Sequence, residues 1–272
     1  RINIPLRGSA LNVKAFPLHY IIDFTGVLMK YTSHFKIKWH DTDASRVVRT
    51  SRILMYLQET ANLQCAEMGL PLDDLRDEKG VGFVLGSISA DLIKPLHAYE
   101  EIDVRTWCRA SHGYSFLRYY EILRNDEVVL RASSIWALID VVNKTMVKGD
   151  ESLDEHFPID EPIDAELLPK KARVSKGSVL KEVGKRKIVY SDIDYNMHMN
   201  NTIYPDMICD FLPDMMGKRI SKLSLSYIKE AAYGDELTVL LGRPDAEGFF
   251  EVRTLNSKEE VCLEARVKLE DI

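Results

Sequence analysis

Residues 192–201, with the sequence DIDYNMHMNN, concentrate side chains that can carry out acid–base chemistry. Asp194, Asn196 and His198 occupy alternate positions, and in an extended strand this spacing would place all three on one face. Such a set could orient a water molecule, accept its proton and bind a developing oxyanion. The segment therefore has the composition of an active site.

A helix is predicted directly after this segment. We expect it to begin near Asn200 or Asn201, to tolerate Pro205 in its first turn and to end by Pro213. Its N-terminus would offer free amide donors and the positive end of the helix dipole to an oxyanion. In a simpler interpretation the Asp and Asn side chains only cap the helix and form turns, and His198 is a surface histidine with ordinary partners.

An internal repeat bears on these two interpretations. One motif opens both halves of the chain at an offset of 151 residues: Trp39, Asp41 and Asp43 align with Tyr190, Asp192 and Asp194. A second pair of landmarks, residues 93–104 and 228–239, aligns at an offset of 135 residues. The first half therefore carries 16 more residues between its landmarks, the difference between the two offsets.

The two halves differ at the positions that could handle protons. The first half keeps an aspartate at Asp43 but replaces the other polar side chains of the second half: Asn196 by Ser45, His198 by Val47 and Glu230 by Pro95. Capping alone would not require this difference. A duplicated fold in which only the second copy is chemically equipped explains it better.

The longer segment of the first half is predicted to be a helix. Its apolar residues recur every three or four positions: Ile53, Leu57, Ala61, Cys65 and Met68. Thr50 or Ser51 would cap its start, residues 69–71 (GLP) would end it, and we expect it to be buried nearly all round.

Runs rich in β-branched and aromatic residues predict four strands after each helix, with Asn125-Asp126 as a hairpin turn. They cover residues 81–94, 102–109, 114–123 and 127–140, and then 220–229, 236–241, 249–254 and 261–269. Each half thus consists of a strand, a helix and a run of antiparallel strands. This order favours an α+β fold in which each sheet wraps around a central helix.

Composition excludes several classes of protein. The chain has 272 residues, a formal net charge of -6 and 46% hydrophobic residues, which argues against a nucleic-acid binder that depends on net charge. No apolar run approaches the ~18 uncharged residues of a membrane span, so we expect a soluble protein. The four cysteines are isolated, which favours neither a zinc site nor a disulfide framework and suits a reducing compartment.

Three motifs, taken together, resemble the acyl-ACP thioesterases of the plant and bacterial Fat type. Residues 57–61 (LQETA) look like the helix motif of the N-terminal hotdog domain of that family, residues 194–201 (DYNMHMNN) like its DxNxHxNN motif, and residues 227–231 (YIKEA) like its YRxEC segment. The resemblance covers residues 31–270. It implies two tandem hotdog domains, at residues 31–150 and 181–272, joined by a charged linker at 151–180, with residues 1–30 as an N-terminal extension, either processed or added to the chain.

The resemblance also implies a reaction and its residues. The family hydrolyses fatty acyl-ACP thioesters and so terminates fatty acid synthesis, and its catalytic set matches Asp194, Asn196, His198 and Glu230. Many members have a cysteine after the glutamate, whereas this chain has Ala231, so water must attack. We expect His198 and Glu230 to polarise that water, with the general base undecided between them. Asn196, together with amides at the helix end, would bind the thioester oxygen or hold the water, and Asp194 would orient its neighbours.

The implied partner is an acyl carrier protein with a fatty acyl chain on its phosphopantetheine arm, in the cytoplasm. No nucleic acid, membrane, metal or organic cofactor is implied, and both a monomer and a homodimer are open. The linker holds an acidic block at 150–166 and a basic block at 170–187, for which solvated surface is the simplest interpretation. In a sharper hypothesis the basic block, or Arg46, Arg49 and Arg52, receives the acidic partner.

The resemblance implies that the first half forms much of the acyl pocket. The candidate pocket residues are Phe83, Leu85, Ile88, Trp107 and Trp136, and for most of them a place in the hydrophobic core is the simpler interpretation. Three alternative functions stay open. The first is an acyl-CoA thioesterase. The second is a hotdog dehydratase, whose product would keep its thioester. The third is an idle acyl-binding protein, which the polar set in the second half disfavours.

Overall fold

The computed structural model describes residues 20–22, 28–109, 111–149 and 171–272. The first half contains β1 (Tyr20–Ile22), β2 (Leu28–Lys36), α1 (Thr50–Glu67), α2 (Leu72–Lys79), β3 (Val81–Leu92), β4 (Glu101–Cys108), β5 (Phe116–Arg124), β6 (Glu127–Asp140) and β7 (Met146–Val147). The second half contains β8 (Leu180–Lys187), α3 (Tyr204–Phe211), β9 (Lys218–Tyr227), β10 (Glu236–Gly242), β11 (Phe249–Leu255) and β12 (Val261–Asp271). Short 3₁₀ turns lie at Trp39–Asp41, Tyr190–Asp192 and Asn201–Ile203.

The strands form one continuous antiparallel sheet in the order β1-β2-β4-β5-β6-β3-β9-β12-β11-β10-β8, with β7 beside β6. The order contains a repeat. The strands β2-β4-β5-β6-β3 of the first half correspond one by one to β8-β10-β11-β12-β9 of the second half, and the two series run in opposite directions across the sheet. The copies meet where residues 87–91 of β3 pair with residues 222–226 of β9. Each half thereby covers an edge that would otherwise be exposed in the other half.

The eight predicted strands are all present, and their ends differ from the predicted ones by three residues or fewer. The predicted hairpin is also confirmed, because Asn125 and Asp126 both have positive φ (51° and 62°) as the tight turn requires. The strand predicted to reach residue 94 ends at Leu92. There Arg219 donates to the carbonyl oxygens of Leu92 and Ile93 (2.6 and 3.2 Å). These carbonyl groups therefore accept hydrogen bonds from a side chain and not from the backbone of a neighbouring strand.

Helix α1 lies over the sheet of the first half, and four of the five residues of its predicted apolar stripe are buried. The fifth, Met68, is half-buried and follows the last turn. The predicted cap is wrong: Arg49 precedes the first turn without a side-chain cap, and Ser51 instead donates to Asp206 of α3 (2.7 Å). The expected burial on all sides is also wrong, because residues 59, 62 and 63 are exposed. One side of the helix contacts the sheet and α3, and the other side faces solvent.

The hydrophobic core continues through both halves. Leu54 and Leu57 of α1, Val104 of β4, Met207 of α3 and Leu225 of β9 are essentially inaccessible and belong to one cluster. The two copies are therefore packed as one body. Within the described residues, no helix is long and apolar enough to span a membrane.

Five elements had no predicted boundaries: β1, β2, α2, β7 and β8. Helix α2 is short and polar, but Pro71 precedes it, Asp73 and Asp74 lie in its first turn, and Gly80 (φ 67°) ends it. Strand β2 begins inside the predicted N-terminal extension, and β8 lies in the basic block, so part of that block is a paired strand. The acidic block, residues 150–166, lies outside the described residues.

Candidate active site

The segment from Asp194 to His198 is a tight turn. The backbone amide of Asp194 donates to the carbonyl oxygen of His198 (3.1 Å), and that of Met197 donates to the carbonyl oxygen of Asp194 (2.9 Å). Met197 has a φ of 64°, which no extended strand contains. The prediction that alternation places the three polar side chains on one face of a strand is therefore wrong. A turn, and not an extended strand, sets where these side chains lie.

The carboxylate of Asp194 stabilises this turn. Its Oδ1 accepts the backbone amide of Asn196 at 2.8 Å, a common arrangement for an aspartate two residues earlier. This contact fits the expectation that Asp194 orients its neighbours. The contact is to the backbone of the turn.

His198 and Glu230 are brought together from segments 32 residues apart. Met199 donates its amide to the carbonyl oxygen of Ala231 (2.8 Å), and His198 and Ala232 form a β-bridge. This pairing places Nε2 of His198 3.2 Å from Oε2 of Glu230. Both side chains are partly open to solvent, with 27% and 54% of their surface exposed, so a water molecule can reach the pair.

The helix after the turn begins as predicted. The side chain of Asn200 accepts the amide of Thr202 (2.9 Å), the 3₁₀ turn Asn201–Ile203 follows, and α3 has Pro205 in its first turn. The amide of Ile203 donates to the carbonyl oxygen of Asn200 (3.0 Å). The backbone amides of Thr202 and Ile203 are therefore already hydrogen-bonded. The side chain of Asn196 is the stronger candidate to donate to an oxyanion.

Asn201 anchors the helix start to the rest of the protein. Its side-chain oxygen accepts Nε2 of Gln58 on α1 (2.8 Å), and its carbonyl oxygen accepts the hydroxyl of Tyr227 (2.8 Å). Burial raises the pKa of Tyr227 well above 10, with nearby Tyr204 adding to the effect, so the phenol remains a donor at all relevant pH values. Gln58 belongs to the motif at residues 57–61, and it ties the first half to the second.

One contact at the site was not predicted. Nη1 of Arg76, on α2, donates to Oδ1 of Asn196, and the guanidinium lies over the ring of Tyr195, 4.8 Å from its centroid. Among the described residues, no hydrogen bond joins the Asn196 side chain to His198 or Glu230. The helix signals at residues 71–80 could have revealed α2, but nothing in the sequence indicated where Arg76 would point.

A small apolar cavity lies between α1, α2 and the sheet of the first half. Its volume is about 50 Å³, and its lining includes Cys65, Leu72, Phe83, Phe116 and Trp136. The cavity has room for only a few water molecules, so a long acyl chain can enter only if lining side chains move. Helix α2 contacts both places, since Leu72 lines the cavity and Arg76 holds Asn196.

Of the five predicted pocket residues, only Phe83 and Trp136 line this cavity. Leu85 and Ile88 belong to the hydrophobic core. Trp107 is stacked on Tyr119 at a centroid distance of 5.8 Å. Because Trp107 alternates along β4 with residues of the core, it faces the other side of the sheet.

Two cysteines of the second half are poor nucleophiles. Burial raises the pKa of Cys262 to about 11 and that of Cys209 to about 12. Nearby carboxylates contribute to both values, and neither thiolate is populated at neutral pH. No group of three or more His, Cys, Asp and Glu side chains in the described part of the chain could hold a metal ion.

Comparison with known proteins gives two adjacent matches to family models. The acyl-ACP thioesterase N-terminal domain matches residues 28–155, and the acyl-ACP thioesterase C-terminal domain matches residues 179–269. The chloroplastic acyl-(acyl-carrier-protein) hydrolase FATB2 of Cuphea viscosissima is 26% identical over 242 residues, which are 80% of this chain and 57% of that protein. This chain spans about half the length of the curated relatives it matches.

Two solved structures share the architecture. An acyl-ACP thioesterase from Bacteroides thetaiotaomicron superposes with a TM-score of 0.78 at 24% identity, covering 89% of this chain and 98% of that one. The 12:0-ACP thioesterase from Umbellularia californica gives a TM-score of 0.76 at 15% identity, with the same coverage of 89% and 98%. These likenesses confirm the predicted fold of two tandem hotdog domains.

Proposed function

The chain belongs to the acyl-ACP thioesterase family, and from this premise we propose that it hydrolyses fatty acyl-ACP thioesters to free fatty acid and holo-ACP. The observation that carries the proposal is the contact between Nε2 of His198 and Oε2 of Glu230, 3.2 Å apart and open to water. An imidazole and a carboxylate in contact can activate a water molecule by general-base catalysis.

The proposed reaction uses water as the nucleophile. A water molecule held by His198 and Glu230 attacks the thioester carbon and gives its proton to one of them. Asn196 donates a hydrogen bond to the oxyanion that forms. The C–S bond then breaks, and the pantetheine sulfur leaves as a thiolate that takes the proton. The raised pKa values of Cys209 and Cys262 disfavour a covalent cysteine route.

We also propose a division of labour. The hotdog domain of residues 181–272 supplies the reacting groups, and the domain of residues 31–150 supplies much of the acyl pocket, with residues 151–180 as a linker. Phe83 and Trp136 are the pocket candidates that the cavity supports. The reaction would end fatty acid synthesis. The described cysteines are free thiols, which suits the cytoplasm, and fractionation of the native cell tests that location.

The partner in this proposal is the acidic acyl carrier protein, presented by its phosphopantetheine arm. Arg46, Arg49 and Arg52 are exposed near the loop of the first half, and the exposed lysines of β8 offer a second basic surface. Opposite charges would speed encounter and make kcat/KM fall as salt increases. Charge reversal at either surface identifies the docking face. Light scattering decides between a monomer and a homodimer.

The test of the function is release of free thiol from acyl-ACP substrates of graded chain length, with the matching acyl-CoA substrates in parallel. We expect a higher kcat/KM on the carrier protein. A preference for CoA would favour an acyl-CoA thioesterase. A product that keeps its thioester would identify a dehydratase, and binding without any release would indicate an acyl-binding protein.

A further inference from the structure

The amide of Asn196 has a fixed orientation. A guanidinium has only donor groups, so the amide atom that faces Arg76 must be the oxygen, Oδ1. The other end of the amide, Nδ2, therefore points away from Arg76 and keeps both of its hydrogens for other acceptors. A free asparagine side chain would sample both orientations, and only one of them presents a donor in a given direction.

Arg76 is itself held in place. Its guanidinium stacks on Tyr195 at 4.8 Å, and its helix is anchored by Leu75, which is buried against Val81 and Leu138. Within the described part of the chain Arg76 forms no ion pair, so no carboxylate neutralises it. Its charge polarises the carbonyl of Asn196, which makes the N–H groups of that amide stronger donors.

Arg76 comes from the additional segment of the first half. The first half has 16 more residues between its landmarks than the second, and α2 (Leu72–Lys79) lies within that stretch. The counterpart of Asn196 in the first half, Ser45, also contacts the opposite half, but there its Oγ only accepts the backbone amide of Gly217 (3.2 Å). Among the described residues, a guanidinium contact of this kind is therefore found only at the loop that carries Asn196 and His198.

We propose that Arg76 is a positioning residue, which holds Oδ1 of Asn196 so that Nδ2 is presented to the thioester oxygen. This inference rests on the proposed function and deepens it. It also makes the site a joint product of the two halves, because the loop comes from the second half and its orienting side chain from the first. Leu72, one turn earlier on the same face of α2, lines the cavity, so an acyl chain would contact the helix that orients the amide.

The test compares substitutions on one helix. Arg76→Ala should lower kcat by about 10- to 100-fold, because the oxyanion donor loses its fixed orientation, while KM changes by less than about 3-fold. Arg76→Lys should recover part of the loss, since a lysine donates one hydrogen bond but does not stack as a plane. The matched control is Lys79→Ala, which removes a positive charge from the same last turn at an exposed position and should leave kcat unchanged.

A double-mutant cycle separates positioning from other roles. In an Asn196→Ala background, Arg76→Ala should lower kcat by less than about 2-fold, because the residue through which it acts is gone. An equal loss in both backgrounds would overturn the proposal, because Arg76 would then act directly on the substrate, the carrier or the fold.

A second cycle does not depend on turnover. Arg76→Ala should lower the thermal melting temperature less in the Asn196→Ala background than in the wild type. Strictly additive melting shifts would mean that the contact contributes nothing, and the proposal would fail. If the wild type releases no thiol but the melting cycle shows coupling, the proposed function fails and the contact stands. If the wild type releases thiol and either cycle is additive, only the role of Arg76 fails.

Discussion

The loops that open the two halves share a backbone and differ in their side chains. In the first half, the amide of Asp43 donates to the carbonyl oxygen of Val47 (2.9 Å), Arg46 has a φ of 65°, and the amide of Val48 donates to the carbonyl oxygen of Leu96 (2.8 Å). The Asp43 carboxylate accepts the amide of Ser45 (2.8 Å). Each of these features recurs in the second half at Asp194, Met197, Met199 and Asn196.

The comparison shows which residues the fold requires. Both loops contain an aspartate and a residue with positive φ. Both also pair with a segment that follows a strand, β3 in the first half and β9 in the second. The first half has Ser45 and Val47 in place of the amide and the imidazole of the second loop, and Pro95 in place of Glu230. These three groups are therefore not needed to form the loop, which supports the proposal that Asn196, His198 and Glu230 serve the reaction.

The largest effect should come from removing the imidazole. His198→Ala should lower kcat by about 1,000-fold or more, since a positioned base contributes about 100- to 10,000-fold and the substitution also abolishes the contact with Glu230. The melting temperature should change little, because Val47 occupies the same backbone position in the other loop. Thiol release and thermal melting measure the two outcomes.

The control for that substitution lies beside the loop of the first half. His97 contacts the carbonyl oxygen of Arg46 through Nδ1 (3.1 Å), and His97→Ala should keep the wild-type rate. A large loss of kcat in His97→Ala, or a wild-type kcat in His198→Ala, would contradict the roles assigned to the two halves.

The next effect concerns the carboxylate. Glu230→Gln should lower kcat by about 100-fold, because the amide keeps the shape but neither accepts a proton nor stabilises a charged imidazole. The matched control is Glu236→Gln, a carboxylate of equal exposure (53% against 54%) that pairs with Lys185 at 3.5 Å. Similar rates for the two variants would remove Glu230 from the site.

A smaller effect is expected at the nearest thiol. The Sγ of Cys262 lies 4.0 Å from the carbonyl oxygen of Glu230, yet burial raises its pKa to about 11. Cys262→Ser should keep kcat within about 3-fold of the wild type, because a neutral thiol is a weak nucleophile and serine can donate to the same carbonyl. Rapid-quench kinetics should show no burst of acyl-protein, and a burst that the variant lacks would identify a covalent route.

The smallest effect should appear at Asp206, which borders the loop of the first half. Burial raises the pKa of Asp206, with Ser51 and Arg49 opposing the shift. A raised pKa means that the folded state binds the proton more tightly. The stabilising contribution is therefore complete below the ordinary pKa of aspartate, about 4, and is lost as the pH rises through the folded value.

Asp206→Asn should remove this pH dependence, because asparagine still accepts the hydroxyl of Ser51 and has no charge to desolvate. At neutral pH we expect the free energy of unfolding to rise by up to about 1 kcal/mol, with unchanged turnover. Chemical denaturation of the wild type and the variant at pH 4 and pH 7 measures this free energy of unfolding. A loss of stability at pH 7 would show that the ionised carboxylate is favourable, and a loss of turnover would give the first loop a catalytic part.

The sequence allowed prediction of features that local pattern or repetition determines. The eight predicted strands and both core helices follow from apolar periodicity and from two copies that can be aligned with each other. The pairing of His198 with Glu230 was an expectation from the resemblance to the thioesterase family, and their side chains lie 3.2 Å apart. The turn at Asp194–His198 was predicted with the wrong geometry, because alternation of polar residues also occurs in an Asx turn with a positive-φ residue such as Met197.

Features without a counterpart in the other half escaped prediction. Helix α2 is polar and short, so it has no apolar stripe, and the second half has no equivalent to align with it. Which face of β4 carries Trp107 was also unpredictable, since both faces of the strand contain buried residues and burial alone does not distinguish the core from the outer face. Contacts of Arg76 and Trp107 depend on tertiary packing that only the folded chain defines.

The most direct test of the account is single-turnover thiol release from acyl-ACP by the double variant His198→Ala, Glu230→Gln. If the second half activates the water through this pair, the two residues act as one unit, and the double variant should be no slower than His198→Ala alone while both lie about 1,000-fold or more below the wild type. A double variant that retains a rate within about tenfold of the wild type would place the chemistry elsewhere in the molecule and contradict the account.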